Sequence, residues 1–153
     1  MSDYDVRAVD AATVIPLQRA LLDRHDPEVE RTPHHPLSLH VGAFLGETLI
    51  GAASIHPEAM PDGYREGAWR LRGVAVDYGH RGRGVGALMV GRCLEHASNH
   101  AAQAVWCIAP AGACGFFERH AFERTGDPID GGERGPQYLL FADFGTRSRS
   151  WAV

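Results

Sequence analysis

The chain has 153 residues, 44% hydrophobic and 22% charged, an ordinary composition for one globular domain with its own core. Its net charge of −4 argues against nucleic acid as the main partner, and it holds no apolar run of ~18 residues that would span a membrane. All 15 basic residues are arginine, which excludes a Walker-type phosphate site, since that site needs a lysine.

The opening Met1-Ser2-Asp3-Tyr4-Asp5 is acidic and lacks an apolar segment, unlike a secretory signal. Cys93, Cys107 and Cys114 are an odd set without a paired framework and read as reduced thiols. A cytoplasmic location is the expectation. Val6–Val9 reads as a first strand, and Asp10 as the N-cap of a helix over Ala11–Asp23, with Val14, Leu17 and Leu21 at helical spacing. Pro16 is tolerable there only near the first turn. Asp26–Pro36 is polar and proline-punctuated, a loop or a broken short helix.

Leu39–Leu45 and Thr48–Ile55, joined by Gly46-Glu47, predict a β-hairpin. After a turn-rich stretch, Trp69–Val76 is a further strand, apolar enough at its end to be central. Asp77–Gly84 is a loop. Val85–Asn99 is a helix whose apolar face carries Val85, Leu88, Met89, Cys93 and Ala97. Val105–Ile108 is a short buried strand, Ala111–His120 a helix weakened by Gly112 and Gly115, and Tyr138–Ala142 the last strand; the tail from Thr146 is expected to fray. No repeat interrupts this order, so residues 1–153 are expected to form a single α+β domain.

The most informative segment is Gly79–Gly86, with four glycines where a buried strand runs into an amphipathic helix. Glycines let backbone N–H groups approach a ligand closely. A helix start adds unpaired N–H groups and a positive dipole end. The combination describes an anion site, with phosphate as its usual occupant, and Arg81 and Arg83 add charge. Three readings compete: a ligand-free turn, a dinucleotide fingerprint and a family signature. Gly82-x-Gly84-x-x-Ala87 formally fits the dinucleotide pattern. It lies in mid-chain, however, and Ile108-Ala109-Pro110 stands where the ribose-binding carboxylate belongs.

Val74-Ala75-Val76-Asp77 followed by Arg81-Gly82-Arg83-Gly84-Val85-Gly86 resembles the acetyl-CoA signature of the GNAT superfamily of N-acyltransferases, (Q/R)-x-x-G-x-(G/A). Arg81, Gly84 and Gly86 fill its fixed positions. Ala113–Phe122 resembles that superfamily's second pattern, A-x-x-F-Y-x-x-x-G-F, and the element order from Val6 to Phe144 is similar throughout. The resemblance implies a mixed, largely antiparallel central sheet of six or seven strands, flanked by about four helices and splayed at the acetyl-CoA cleft. It implies that Val74 and Val76 offer backbone groups to pantetheine. Arg81, Gly82, Arg83, Gly84, Val85 and Gly86 would hold the pyrophosphate, and Phe117 would touch the co-substrate.

The implied activity is direct transfer of acetyl from acetyl-CoA to a primary amine of a small molecule or peptide. The superfamily is commonly homodimeric. The chain departs from the pattern at three positions: Phe117 replaces the tyrosine that often protonates the thiolate, Ile108 replaces an asparagine and Ala121 replaces a glycine. Phe117 has no proton to give, so Tyr138 is the candidate acid, with Cys114 and His120 as alternatives. Glu66, near the start of the central strand, is the candidate base; Asp77, Glu47 and Glu58 are the other carboxylates weighed, and a water chain is a further route. The departures keep a second class open, a non-catalytic acyl-CoA-binding or sensing module. His25, His34, His35 and His40 are the densest histidine group, but their spacing is not that of a metal site, and none is expected.

Overall fold

A computed structural model describes residues 3–22, 35–61 and 66–144. The expected helix end at Asp23, most of the Asp26–Pro36 loop and the tail from Thr146 lie outside them. The described elements are β1 (Tyr4–Val9), α1 (Ala11–Leu21), β2 (Leu39–Leu45), β3 (Thr48–Pro57), β4 (Ala68–Val76), α2 (Val85–Asn99), β5 (Ala104–Pro110), α3 (Ala111–Glu118), β6 (Glu123–Asp130) and β7 (Pro136–Asp143). The hydrogen-bonded strand order is β1-β2-β3-β4-β5-β7-β6. The α+β class and seven strands match expectation, while the described residues hold three α-helices rather than about four. The chain divides into two compact units, residues 1–56 with 71–96, and 57–70 with 97–153.

In the first unit, β1 and β2 pair antiparallel, as do β2 and β3, with Leu45 opposite Thr48 across the two-residue turn. Asp10 caps α1, its carboxylate accepting from Thr13 N (3.1 Å) and Thr13 Oγ1 (2.6 Å). These bonds hold the Asp10 carboxyl below its ordinary pKa. Pro16 stands well inside α1 rather than in its first turn. It is tolerated because both Pro16 and Ala12, whose carbonyl it leaves without an N–H, are exposed to solvent. The core includes Val14, Val41, Ile55, Leu71, Met89 and Cys93.

Helix α2 has the predicted bounds, but Leu88 is 45% exposed and Val90 is fully buried. The reason is geometric. At 3.6 residues per turn, positions 85, 89, 90, 93 and 97 share an arc of about 140°, and position 88 falls outside it.

Between the two bonds that bound their pairing, the β4 side carries one residue more than the β3 side. Glu58 N donates to Ala68 O (3.1 Å) at one end of the β3–β4 pair, and Asp77 N donates to Ile50 O (2.8 Å) at the other. Eight steps on β3 thus face nine on β4, which requires a β-bulge. Gly73, with φ of +65°, supplies the left-handed residue that such a bulge uses.

In the second unit, β4 and β5 pair in parallel at Ala68↔Ala104, Trp69↔Val105 and Arg70↔Trp106. Strand β7 pairs antiparallel with β5 and β6. Met60, Ala68 and Trp106 form a core cluster with Leu139 and Phe141 against it. Strand β6 escapes sequence reading because Glu123-Arg124-Thr125-Gly126-Asp127-Pro128-Ile129-Asp130 is polar and mostly exposed, with no apolar alternation. As an edge strand paired, among the described residues, only with β7, it tolerates Pro128 where its register shifts between Thr125 and Ile129.

Candidate functional site

In the first unit the glycine-rich loop joins β4 to α2 through a short helical turn at Tyr78–His80. Gly82 (φ +77°) and Gly84 (φ +82°) both adopt the left-handed conformation, and a Cβ built on either meets nothing within 4 Å. Both are exposed. The backbone therefore bends here beside open space, as a cradle for a ligand requires. The first helical bond runs from Leu88 N to Gly84 O (3.1 Å), so the N–H groups of residues 85–87 precede the helical ladder. Val85 anchors the helix start by burying its side chain.

The two loop arginines are partly committed. Arg81 folds back on the strand end: its Nε donates to Val76 O (2.9 Å), and its guanidinium lies 3.9 Å from the Tyr78 ring centre. Arg83 Nη1 reaches the Tyr4 hydroxyl (3.4 Å), which is also 2.9 Å from His80 Nδ1. β1 thereby tethers the loop, a link that sequence reading did not find. Because Asp77 N bonds β3, the alternation of a strand turns the backbone groups of Val76 and Val74 away from β3. Val76 O keeps one lone pair beyond its bond from Arg81.

A buried polar group stands behind this strand. Gln18, on α1, is 5% exposed; its Nε2 donates to Gly73 O (3.1 Å) and to Ser54 Oγ (3.3 Å). Ser54, itself buried on β3, is 2.8 Å from His40 Nδ1. Sequence reading missed this set, although Gln18 lies four residues after Val14 and so on its face of the helix, a polar residue at an apolar position.

In the second unit Phe117 is 7% exposed. Its ring packs edge-on against Phe116 (5.1 Å) and Phe122 (5.8 Å). Tyr138 is half-buried on β7 opposite Ala109, with the Arg124 guanidinium 5.0 Å from its ring centre. Arg124 also pairs with Glu118 at the end of α3 (3.2 Å), tying Tyr138 to the helix that carries Phe117. Cys114 is buried, with Sγ 3.5 Å from Pro110 O, and burial raises its pKa. Burial also pushes the Cys93 thiol to about 12 and raises Cys107, so none of the three is an activated thiolate. Burial lowers the His120 pKa, with Arg119 adding to the effect; its ring packs against Phe116 (5.0 Å).

Glu66 is exposed on the turn before β4. With Ala68 level with Ala104 and Tyr138 opposite Ala109, Glu66 and Tyr138 stand at opposite ends of β5, roughly 20 Å apart at 3.3 Å per residue. Glu58 is engaged by Arg70 (3.2 Å). Ile108 is 36% exposed on β5. His35 Nδ1 accepts from Leu37 N, while His25 and His34 lie outside the described residues. No group of three His, Cys, Asp or Glu able to hold a metal occurs among the described residues. No helix among them is long and apolar enough to cross a membrane.

Comparison with known proteins points one way. The model of the acetyltransferase (GNAT) family matches residues 9–122. The chain is 32% identical over 97 residues to the uncharacterized N-acetyltransferase YitI of Bacillus subtilis (strain 168); the match covers 63% of this chain and 65% of that relative, just under two thirds of its length. Among solved structures, an IAA acetyltransferase from Bacillus cereus superposes with a TM-score of 0.73 at 12% identity, covering 92% of this chain and 99% of that one. A GNAT family acetyltransferase from Elizabethkingia anophelis with acetyl-CoA bound gives a TM-score of 0.69 at 14% identity, covering 94% and 99%. At these identities the likeness is one of fold.

Proposed function

We propose that the chain transfers an acetyl group from acetyl-CoA to a primary amine of a small molecule or peptide, and the premise is membership: the chain belongs to the acetyltransferase (GNAT) family. The observation that carries the proposal is the pair of left-handed glycines, Gly82 and Gly84, whose outer side is open at the start of α2. A pyrophosphate is the anion that such a cradle suits. Gly82, Arg83, Gly84, Val85 and Gly86 would hold it through backbone N–H groups, with Arg81 bracing the strand end. Val74 and Val76 would pair with the pantetheine arm through the backbone groups that face away from β3. Phe117 contributes apolar surface and no proton.

Acetyl-CoA supplies the activated thioester. The chain's part is to hold the amine over the face of the thioester carbonyl, to donate a backbone N–H to the carbonyl oxygen as charge develops, and to manage two protons. The C–N bond forms with the C=O electron pair moving to oxygen, and the C–S bond breaks as the carbonyl re-forms. The amine's proton leaves to solvent or a base, and the sulfur gains one from an acid. Tyr138 is the proposed acid, since its hydroxyl is the proton source on the strand beside Ala109. Glu66, distant along β5, serves as base only through water. The family's common homodimer and the reading of residues 1–153 as one domain are part of the same proposal.

A CoA-release assay against a panel of amines tests it: acetyl-CoA-dependent release with at least one amine is the expected result. The replacement of the family tyrosine by a buried Phe117 favours a second reading, an acyl-CoA sensor without turnover. Tight acetyl-CoA binding with no release on any amine would establish that reading instead.

A further inference from the structure

We infer that Gln18 is a positioning residue: it pins the Gly73 bulge and so determines which backbone groups of β4 meet the pantetheine arm. The inference rests on the proposed acetyl-CoA site and extends it to a residue outside the glycine-rich signature.

A bulge changes the phase of a strand. Counting from Ala68, whose carbonyl bonds β3, alternation assigns residues 70 and 72 to the β3 side. Counting back from Asp77, whose N–H bonds β3, alternation assigns 75 and 73 to that side. The two counts conflict, and the extra residue at Gly73 resolves the conflict. Its consequence is specific. Beyond the bulge, Val74 and Val76 turn their N–H and C=O groups away from β3; without it, Ala75 and Asp77 would do so. Alternation within a strand makes this an all-or-none choice.

Gln18 is built to hold that choice. A carbonyl can only accept, so the Gln18 atom facing Gly73 O must be the amide nitrogen, and its second N–H goes to Ser54 Oγ. Ser54 is held in turn by His40 at 2.8 Å. The amide therefore has both donors engaged in a buried setting, where an unmet partner is costly. The fit is also steric. A Cβ on residue 73 would fall on the Gln18 amide, so glycine is required both by its φ of +65° and by the approach of Gln18. A glutamine buried only for packing would not need its nitrogen turned to the carbonyl of the left-handed residue in the bulge.

The test uses the full chain and two ligands. Acetyl-CoA engages the glycine-rich loop and β4. Adenosine 3′,5′-bisphosphate carries phosphates for the loop and has no pantetheine arm. Calorimetric titration of Gln18→Leu and Gln18→Met should show acetyl-CoA weakened about tenfold, as expected for loss of a positioned buried hydrogen bond, with the bisphosphate affinity unchanged. If both variants fail to fold, Ser54→Ala, which leaves the Gln18–Gly73 bond in place and removes the second anchor of the amide together with the His40 contact, decides by the same ratio of affinities. Unchanged acetyl-CoA affinity, or equal losses for both ligands, overturns the role of Gln18. A wild-type chain that binds neither ligand overturns the acetyl-CoA site itself, a result distinct from the other two.

Discussion

Replacing Gly84 by alanine separates the loop's role in folding from its role in binding. Gly84 has φ of +82°, and a Cβ there meets no protein atom within 4 Å. The folded state therefore suffers backbone strain and no clash. A non-glycine residue in the left-handed region costs about 1–2 kcal/mol, and each kcal/mol lowers Tm by about 2–4 °C in a chain of this size. Gly84→Ala should then melt about 2–8 °C below wild type by circular dichroism. The effect on acetyl-CoA should be larger, because the methyl group enters the space that the ligand would occupy and turns the loop N–H groups away. Loss of even one hydrogen bond to a charged group, worth about 1.5–3 kcal/mol, raises the Kd roughly 10- to 150-fold by calorimetry. A variant that loses the expected few degrees of Tm and binds acetyl-CoA as tightly as wild type would refute a pyrophosphate site at this turn.

Three further outcomes follow from the geometry. Tyr138→Phe should lower kcat at least ~100-fold, the lower end of what a general acid contributes, with KM for acetyl-CoA nearly unchanged; full retention of kcat removes Tyr138 from the chemistry. Phe117→Tyr placed in that variant should restore part of the lost kcat, because it puts a hydroxyl at the family position; steady-state kinetics showing no recovery would mean that the ring, wedged against Phe116 and Phe122, cannot present it. Asp10→Asn tests the cap of α1. The Thr13 hydrogen bonds lower the folded-state pKa of Asp10, so its contribution is full above the ordinary carboxylate pKa of about 3.9 and is lost as pH falls through the lower folded value. The Tm advantage of wild type over Asp10→Asn should shrink from pH 6 to pH 2; a difference that stays constant, or grows on acidification, contradicts the assignment.

What was legible in the sequence is what repeats locally. The α2 bounds, the β2–β3 hairpin and the Asp10 cap each follow from periodicity or turn chemistry within a few residues, and the structure reproduces them. Four glycines packed into the β4–α2 turn marked the proposed anion site for the same reason. Features set by distant partners were not legible. Strand β6 exists through pairing with β7 and has no apolar alternation of its own. Leu88 looked like core because helical spacing fixes a face only to within a residue or two, and the arc that is buried depends on what the helix packs against. The β4 bulge shows itself only when bonds at both ends of the strand are counted together, and its Gln18 clamp lies 55 residues from the carbonyl that it holds. The separation of Glu66 from Tyr138 likewise required the β4–β5 and β5–β7 registers.

Acetyl transfer from acetyl-CoA held at the glycine-rich turn is tested most directly by a titration followed by turnover: acetyl-CoA is titrated into the full chain, and free CoA thiol is then followed with an amine panel present. Saturable binding that Gly84→Ala weakens at least tenfold, together with amine-dependent thiol release, is the predicted result. Absence of acetyl-CoA binding by a folded wild-type chain would contradict it.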